Sequence, residues 1–280
     1  CYIPTQVRPV PERVRGLPGI EVPLIGRHDV MARLQAVLRR VEAEGLPQIV
    51  LITGEAGVGK SRLVAEFRRA ESRAGVQFFT GNCATYTRAR PLWLFAGMLR
   101  NMMGVAETAP AEEQSEALQR LLVELGIDPH DALPYLASVL GLYAGDPLLR
   151  ARLGVIDSNV LQKLVDAALR QVLSAQAQRM PTVLILDDLH WIDSASRSFL
   201  QRLIETVDRL PLALVMISRG AERETVMQPL IQSAARMGEH FTDIKLEPLS
   251  ESAGQELVNI LLMDTTAEAG ALKRRIAAQA

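Results

Sequence analysis

The first clear rhythm along the chain is helical. Val30, Leu34, Val37, Leu38 and Val41 recur at spacings of three and four, which lines one face of a helix. The pattern then changes. Ile49-Val50-Leu51-Ile52 is an unbroken apolar run that ends in Thr53-Gly54, and its length and β-branched content predict a strand buried on both faces. Ser61 to Ala74 read as a helix closed by Gly75, and Val76 to Thr80 as a second strand. From about 91 to 178 the pattern is mostly helical, punctuated at Gly104, Pro110, Asp128-Pro129 and Asp146-Pro147. Thr182 to Leu186 predict a third strand, followed by a helix over Ser196 to Asp208. A fourth strand, Leu212 to Ile217, breaks at Ser218-Arg219-Gly220. A fifth, Asp243 to Leu246, leads through Pro248 to a helix that Ser250 caps and Glu251 opens.

Strands that alternate with helices, and carry no polar alternation of their own, argue for a mainly parallel sheet covered on both faces. The expected fold is therefore α/β: a three-layer α/β/α sandwich on a five-stranded sheet. A helical insertion over about 91–178 separates strands two and three. Residues 1–22, which hold Pro4, Pro9, Pro11 and Pro18 with Gly16 and Gly19, read as a proline-rich linker. The core is expected over 23–249, and 250–280 as the start of a helical lid. The first residue is Cys and the last ten read as an uncapped helix, so a piece of a longer protein is expected.

Composition narrows the function. With 48% hydrophobic and 22% charged residues the chain is ordinarily globular, which removes disordered, collagen-like and fibrous readings. A net charge of -1 gives no basic field for nucleic acid. Two cysteines, Cys1 and Cys83, are too few for a disulfide framework or a zinc site, and suit a reducing, cytoplasmic setting. No apolar run approaches the length of about 20 residues that spans a bilayer, so no membrane partner is expected.

Gly54-Glu55-Ala56-Gly57-Val58-Gly59-Lys60-Ser61 stands between the first strand and the next helix. That is the phosphate-loop pattern in the setting it requires. Its glycines let successive N–H groups turn inward, and the helix start adds positive potential. Lys60 is expected to reach the β and γ phosphates, Ser61 to ligate Mg²⁺, and the Arg62 N–H to serve the α phosphate. Only four lysines occur in the chain, and Lys60 is one of them.

The third strand ends in Asp187-Asp188. Ligands in such sheets sit at the carboxyl ends of strands, so both acids are expected beside the phosphates. Asp187 is the candidate for Mg²⁺, and Asp188 for orienting or deprotonating the attacking water. Arg219 ends the fourth strand, where a cation reads the γ phosphate, unless it is a surface arginine in a turn. Arg27 precedes the first helix: either an ordinary loop residue or a wall on the adenine side. His190 is either a water-polarising group or a satisfied polar residue, Trp191 reads as packing, and Asp193 or Ser194 as a helix cap. Cys83 reads as a structural thiol.

Pro23-Leu24-Ile25-Gly26-Arg27, the phosphate loop, Leu186-Asp187-Asp188-Leu189-His190-Trp191-Ile192-Asp193 and Met216-Ile217-Ser218-Arg219 occur in that order. Together they resemble the ATPase module of STAND proteins, the signal-transduction branch of AAA+-related P-loop ATPases. The resemblance covers about residues 22 to 263. It implies that Asp187 is the Walker B magnesium residue, Asp188 the catalytic acid and Arg219 the sensor arginine. It further implies an ATP- and Mg²⁺-driven switch that opens, self-associates and works alongside other domains of a larger regulator. The chain departs from the family in two places: Gly26-Arg27-His28 stands where Gly-Arg-Glu is common, and no Gly-x-Pro lid motif is present. The proline-rich start resembles the linker that joins nucleotide cyclase domains to such modules. Two other readings share the motifs, a nucleotide-binding scaffold with little hydrolysis and a DNA-associated AAA+ ATPase.

Overall fold

The computed structural model describes residues 24–72, 75–87, 89–142, 147–207, 209–220 and 226–262. The expected linker over 1–22, and the part of the expected lid beyond 262, lie outside these residues, as do Ala74, Asp146 and Asp208.

Five strands form one parallel sheet: β1 (Gln48–Gly54), β2 (Gln77–Asn82), β3 (Thr182–Asp187), β4 (Leu212–Arg219) and β5 (Phe241–Leu246), in the order β2-β3-β4-β1-β5. The unbroken apolar runs of the inner strands β1, β3 and β4 follow from burial on both faces, whereas β2 and β5 at the sheet edges are partly exposed. Alternate residues of each strand enter opposite cores: Ile49, Leu51, Leu184, Leu186, Leu214 and Met216 join one, Val50, Ile52, Val183, Ile185, Val215 and Ile217 the other.

The second core is closed by α1 (His28–Glu44) and α2 (Lys60–Glu71). Leu34, Leu38 and Val41 of α1 and Leu63 and Phe67 of α2 are buried there, and Phe67 meets Phe78 edge-on at 5.8 Å. The first core is larger. It lies under α3 (Trp93–Met103), α4 (Ala111–Glu124), α5 (Pro129–Leu140), α6 (Pro147–Gly154), α7 (Ser158–Arg179), α8 (Ser194–Thr206) and α9 (Gln228–Ala235). Phe95 of α3 and Phe199 of α8 meet edge-to-face there at 4.6 Å, both fully buried. The three-layer α/β/α sandwich and its parallel five-stranded sheet are as the sequence predicts.

The helical stretch between β2 and β3 breaks where expected, with one addition. α6 and α7 are separate, because Asp157 caps α7 by accepting from the N–H groups of Asn159 and Val160. The eight-residue α9 is a second element absent from the sequence reading. The final helix, α10 (Glu251–Leu262), is capped as expected: Ser250 Oγ accepts from Ala253 N–H at 3.3 Å. Its inner face packs on Ile25, which together with Ala253, Leu249 and Leu257 forms a small third cluster.

Candidate functional site

The phosphate loop begins where β1 runs out. Gly54 has no room for a side chain: a Cβ there would lie 2.6 Å from the Leu246 carbonyl oxygen of β5 and 3.0 Å from Val58 Cγ1. Gly57 and Gly59 are required for conformation, with φ of 84° and 97°. Glu55 and Ala56, between Gly54 and Gly57, are exposed. The first bond of α2 runs from Leu63 N–H to Gly59 C=O at 2.9 Å, which leaves the N–H groups of the preceding turn at the open helix end.

Lys60 folds back over this loop. Its Nζ donates to the carbonyls of Gly54 (2.9 Å) and Glu55 (2.7 Å). Burial lowers its pKa from the ordinary 10.5, Asp187 and Asp188 oppose that shift, and Arg219 adds to it. Arg219 therefore acts electrostatically on Lys60 even though its own side chain is exposed. The β1–β4 register explains the proximity, since Gly54 and Arg219 are paired.

β3 delivers the carboxylates to the same edge. Ser61 Oγ donates to Asp187 Oδ2 at 3.1 Å, while Asp187 Oδ1 accepts from the Asp188 N–H at 2.8 Å. Asp188 has φ 55° and ψ 38°, a left-handed backbone that is costly for a residue with a side chain. Its carboxyl is 35% exposed and its Oδ1 lies 4.0 Å from His190 Nδ1. His190 is buried, with its ring 5.1 Å from that of Trp191, and Trp191 packs half-buried on the larger core.

Thus the carboxyl ends of β1, β3 and β4 bring Lys60, Ser61, Asp187, Asp188 and Arg219 together. Arg62 follows Ser61 on the first turn of α2. Arg27 has a more specific position than a loop residue: its Nη2 donates to the Val58 carbonyl at 3.3 Å and to the Glu247 carbonyl at 2.5 Å. It ties the phosphate loop to the connection between β5 and α10. Cys83, with its backbone N–H on the Asp187 carbonyl, is buried, and burial pushes its thiol well above the ordinary range. That suits a structural thiol.

Two residues of this edge escaped the sequence reading in their detail. Asn82 ends β2 in register with Asp187. A polar residue at the carboxyl end of a sheet strand, where ligands sit in such sheets, is the signal that marks it. Asp193 does more than cap α8: its Oδ1 accepts from Ser196 N–H (2.8 Å) and also from Leu92 N–H (3.0 Å), at the start of α3.

The donor set fits a hard divalent cation, because Ser61 and Asp187 present a hydroxyl and a carboxylate oxygen 3.1 Å apart beside the loop. Among the described residues no helix is long and apolar enough to cross a membrane.

Comparison with known proteins is consistent with this geometry. The AAA ATPase domain family matches residues 23–217, well over half of the chain. An uncharacterized protein of Rhizobium meliloti (strain 1021) is 29% identical over 207 residues, which is 70% of this chain and 18% of that protein. The chain therefore spans less than a fifth of that curated relative. Among solved structures, the Aeropyrum pernix ORC1 protein in complex with DNA matches with a TM-score of 0.44 and 16% identity, over 85% of this chain and 49% of that chain.

Proposed function

Since the chain belongs to the AAA ATPase domain family, we propose that it is an ATP-binding and Mg²⁺-dependent ATP-hydrolysing switch of the STAND type, within a larger cytoplasmic signalling or transcription-regulating protein. The observation that carries this reading is the convergence of Lys60, Ser61, Asp187, Asp188 and Arg219 at one sheet edge. The nucleotide, as ATP or ADP, is held by residues Gly54 to Arg62, and Arg27 fixes the loop from behind through the Val58 carbonyl.

Lys60 must leave its two carbonyl partners to meet the β and γ phosphates, whose charge would offset the burial that lowers its pKa. Ser61 and Asp187 would hold Mg²⁺, which neutralises phosphate charge when bound. Asp187 also fixes Asp188 through the backbone N–H, so the Asp188 carboxylate is aimed by a strained backbone and not by a flexible one. Asp188 accepts a proton from the attacking water as it is oriented. Arg219 lies where positive charge stabilises the charge spread over the transferred phosphoryl group. The hydrolytic cycle then drives contacts with other domains of the full-length protein and with further copies of itself.

Replacing Asp188 with Asn tests this. The expected result is ATP binding within about twofold of the parent and a turnover loss of at least about 100-fold. Unchanged slow turnover in the variant would contradict hydrolysis through Asp188 and leave a nucleotide-binding scaffold.

A further inference from the structure

Asp188 keeps its left-handed backbone inside a short turn, and that turn buries a histidine. The Asp188 N–H donates to Asp187 Oδ1 at 2.8 Å, and the Asp188 carbonyl accepts from the Trp191 N–H at 2.9 Å. The second bond closes the chain around Leu189 and His190, which are 0% and 1% exposed. Leu189 and Ile192, on either side, enter the larger core. A leucine at position 190 would fill such a place with no polar atom, whereas an imidazole must give up its water to lie there. His28 and His130 are exposed and His240 is partly so, which leaves His190 as the one fully buried histidine among the described residues.

Burial decides what this ring can do. It reaches neither solvent nor the phosphate loop, so it does not polarise the attacking water. Its Nδ1 lies 4.0 Å from Asp188 Oδ1, and its face is tilted by 46° against Trp191. The Asp188 carboxyl is 35% exposed and acts electrostatically on Lys60. It therefore stands at the boundary, with Oδ1 toward the buried ring and the rest of the group open to the nucleotide side. Hydrogen bonds of catalytic groups commonly shorten when the substrate closes the site, so an approach of this length within one turn is enough to assign the pair.

We propose that His190 is a positioning residue for the hydrolysis: its Nδ1–H faces Asp188 Oδ1 and fixes the rotamer of the carboxylate. Holding Oδ1 leaves Oδ2 to take the proton of the water whose oxygen bonds to the γ phosphorus as ADP leaves. His190 keeps its own proton throughout and touches neither water nor phosphate. The assignment rests on Asp188 being the acid of the proposed ATPase. It explains why a polar ring occupies a place between two core residues, and why the turn holds Asp188 in a backbone conformation that a side chain disfavours.

The test has two arms on the full chain. The first is steady-state hydrolysis of ATP with Mg²⁺ by the parent, His190→Leu and His190→Asn. His190→Leu keeps the burial and removes the donor; it should leave KM within about twofold and lower kcat at least about tenfold. His190→Asn carries an amide N–H where Nδ1 stood and should return kcat to within about threefold of the parent. A kcat for His190→Leu within about twofold of the parent, or an Asn variant no faster than the Leu variant, overturns the proposal. The second arm needs no turnover and no change at His190: nitrogen NMR of the histidine rings, with the His190 signals identified by their loss in His190→Asn. The parent should show the Nδ1-protonated tautomer, with an Nδ1 signal that moves in Asp188→Asn, a substitution suited to a left-handed backbone. An Nε2-protonated ring, or an Nδ1 signal indifferent to Asp188→Asn, overturns the proposal even if His190→Leu does not fold. A parent that turns over no ATP contradicts the ATPase reading, while the tautomer still decides the pairing of His190 with Asp188.

Discussion

Replacing Asp193 separates a structural from a chemical role for the last acid of the Asp187–Asp193 stretch. The carboxylate is 5% exposed and accepts two backbone hydrogen bonds, from Ser196 N–H at 2.8 Å and Leu92 N–H at 3.0 Å. Asp193→Ala removes the cap of α8, worth about 1 kcal/mol. It also leaves the Leu92 N–H without its acceptor, at about 1–3 kcal/mol. Leu92 has φ 58°, a left-handed backbone with little reason to persist once that bond is gone. The sum is about 2–4 kcal/mol, or a melting temperature roughly 3–7 °C lower in a chain of this size. Asp193→Asn keeps a side-chain oxygen in the same place and should lose less than about 1 kcal/mol. Urea and thermal melts of both variants give the comparison, with ATP turnover measured on whatever remains folded. A loss below about 0.5 kcal/mol in Asp193→Ala, or equal losses in both variants, would refute the reasoning, since the negative charge and not the acceptor geometry would then matter.

Gly54→Ala places a methyl 2.6 Å from the Leu246 carbonyl oxygen, a backbone atom that cannot swing aside. It should cost about 1–3 kcal/mol in chemical denaturation and weaken ATP binding by parting β1 from β5, whereas Gly220→Ala, whose Cβ would meet nothing nearer than 3.9 Å, serves as the control. Nucleotide affinity should also fall as pH rises. Phosphates bind the charged form of Lys60, whose pKa is lowered first by burial, so the loss begins below the ordinary 10.5. Arg219→Gln removes a repulsive charge and should move that loss to higher pH; a profile unchanged by the substitution would remove Arg219 from the vicinity of Lys60.

Much of this fold was legible because the three inner strands are buried on both faces, which turns β1, β3 and β4 into unbroken apolar runs. The phosphate loop was legible because its glycines, lysine and serine are contiguous, and the paired acids because they end an apolar strand. α9 was not. It has only eight residues, and Met227, Leu230 and Ala234 give one short turn of periodicity beside a charged stretch. The role of Arg27 was hidden for a different reason: its carbonyl partners lie 31 and 220 positions away, so no local pattern records them.

Equilibrium binding of ATP to the parent chain and to Lys60→Ala, each with and without Mg²⁺, tests the central claim most directly. The account predicts Mg²⁺-enhanced binding by the parent that falls at least about 100-fold in the variant, because the ammonium group that meets the phosphates is gone. Equal affinities in the two proteins would contradict it.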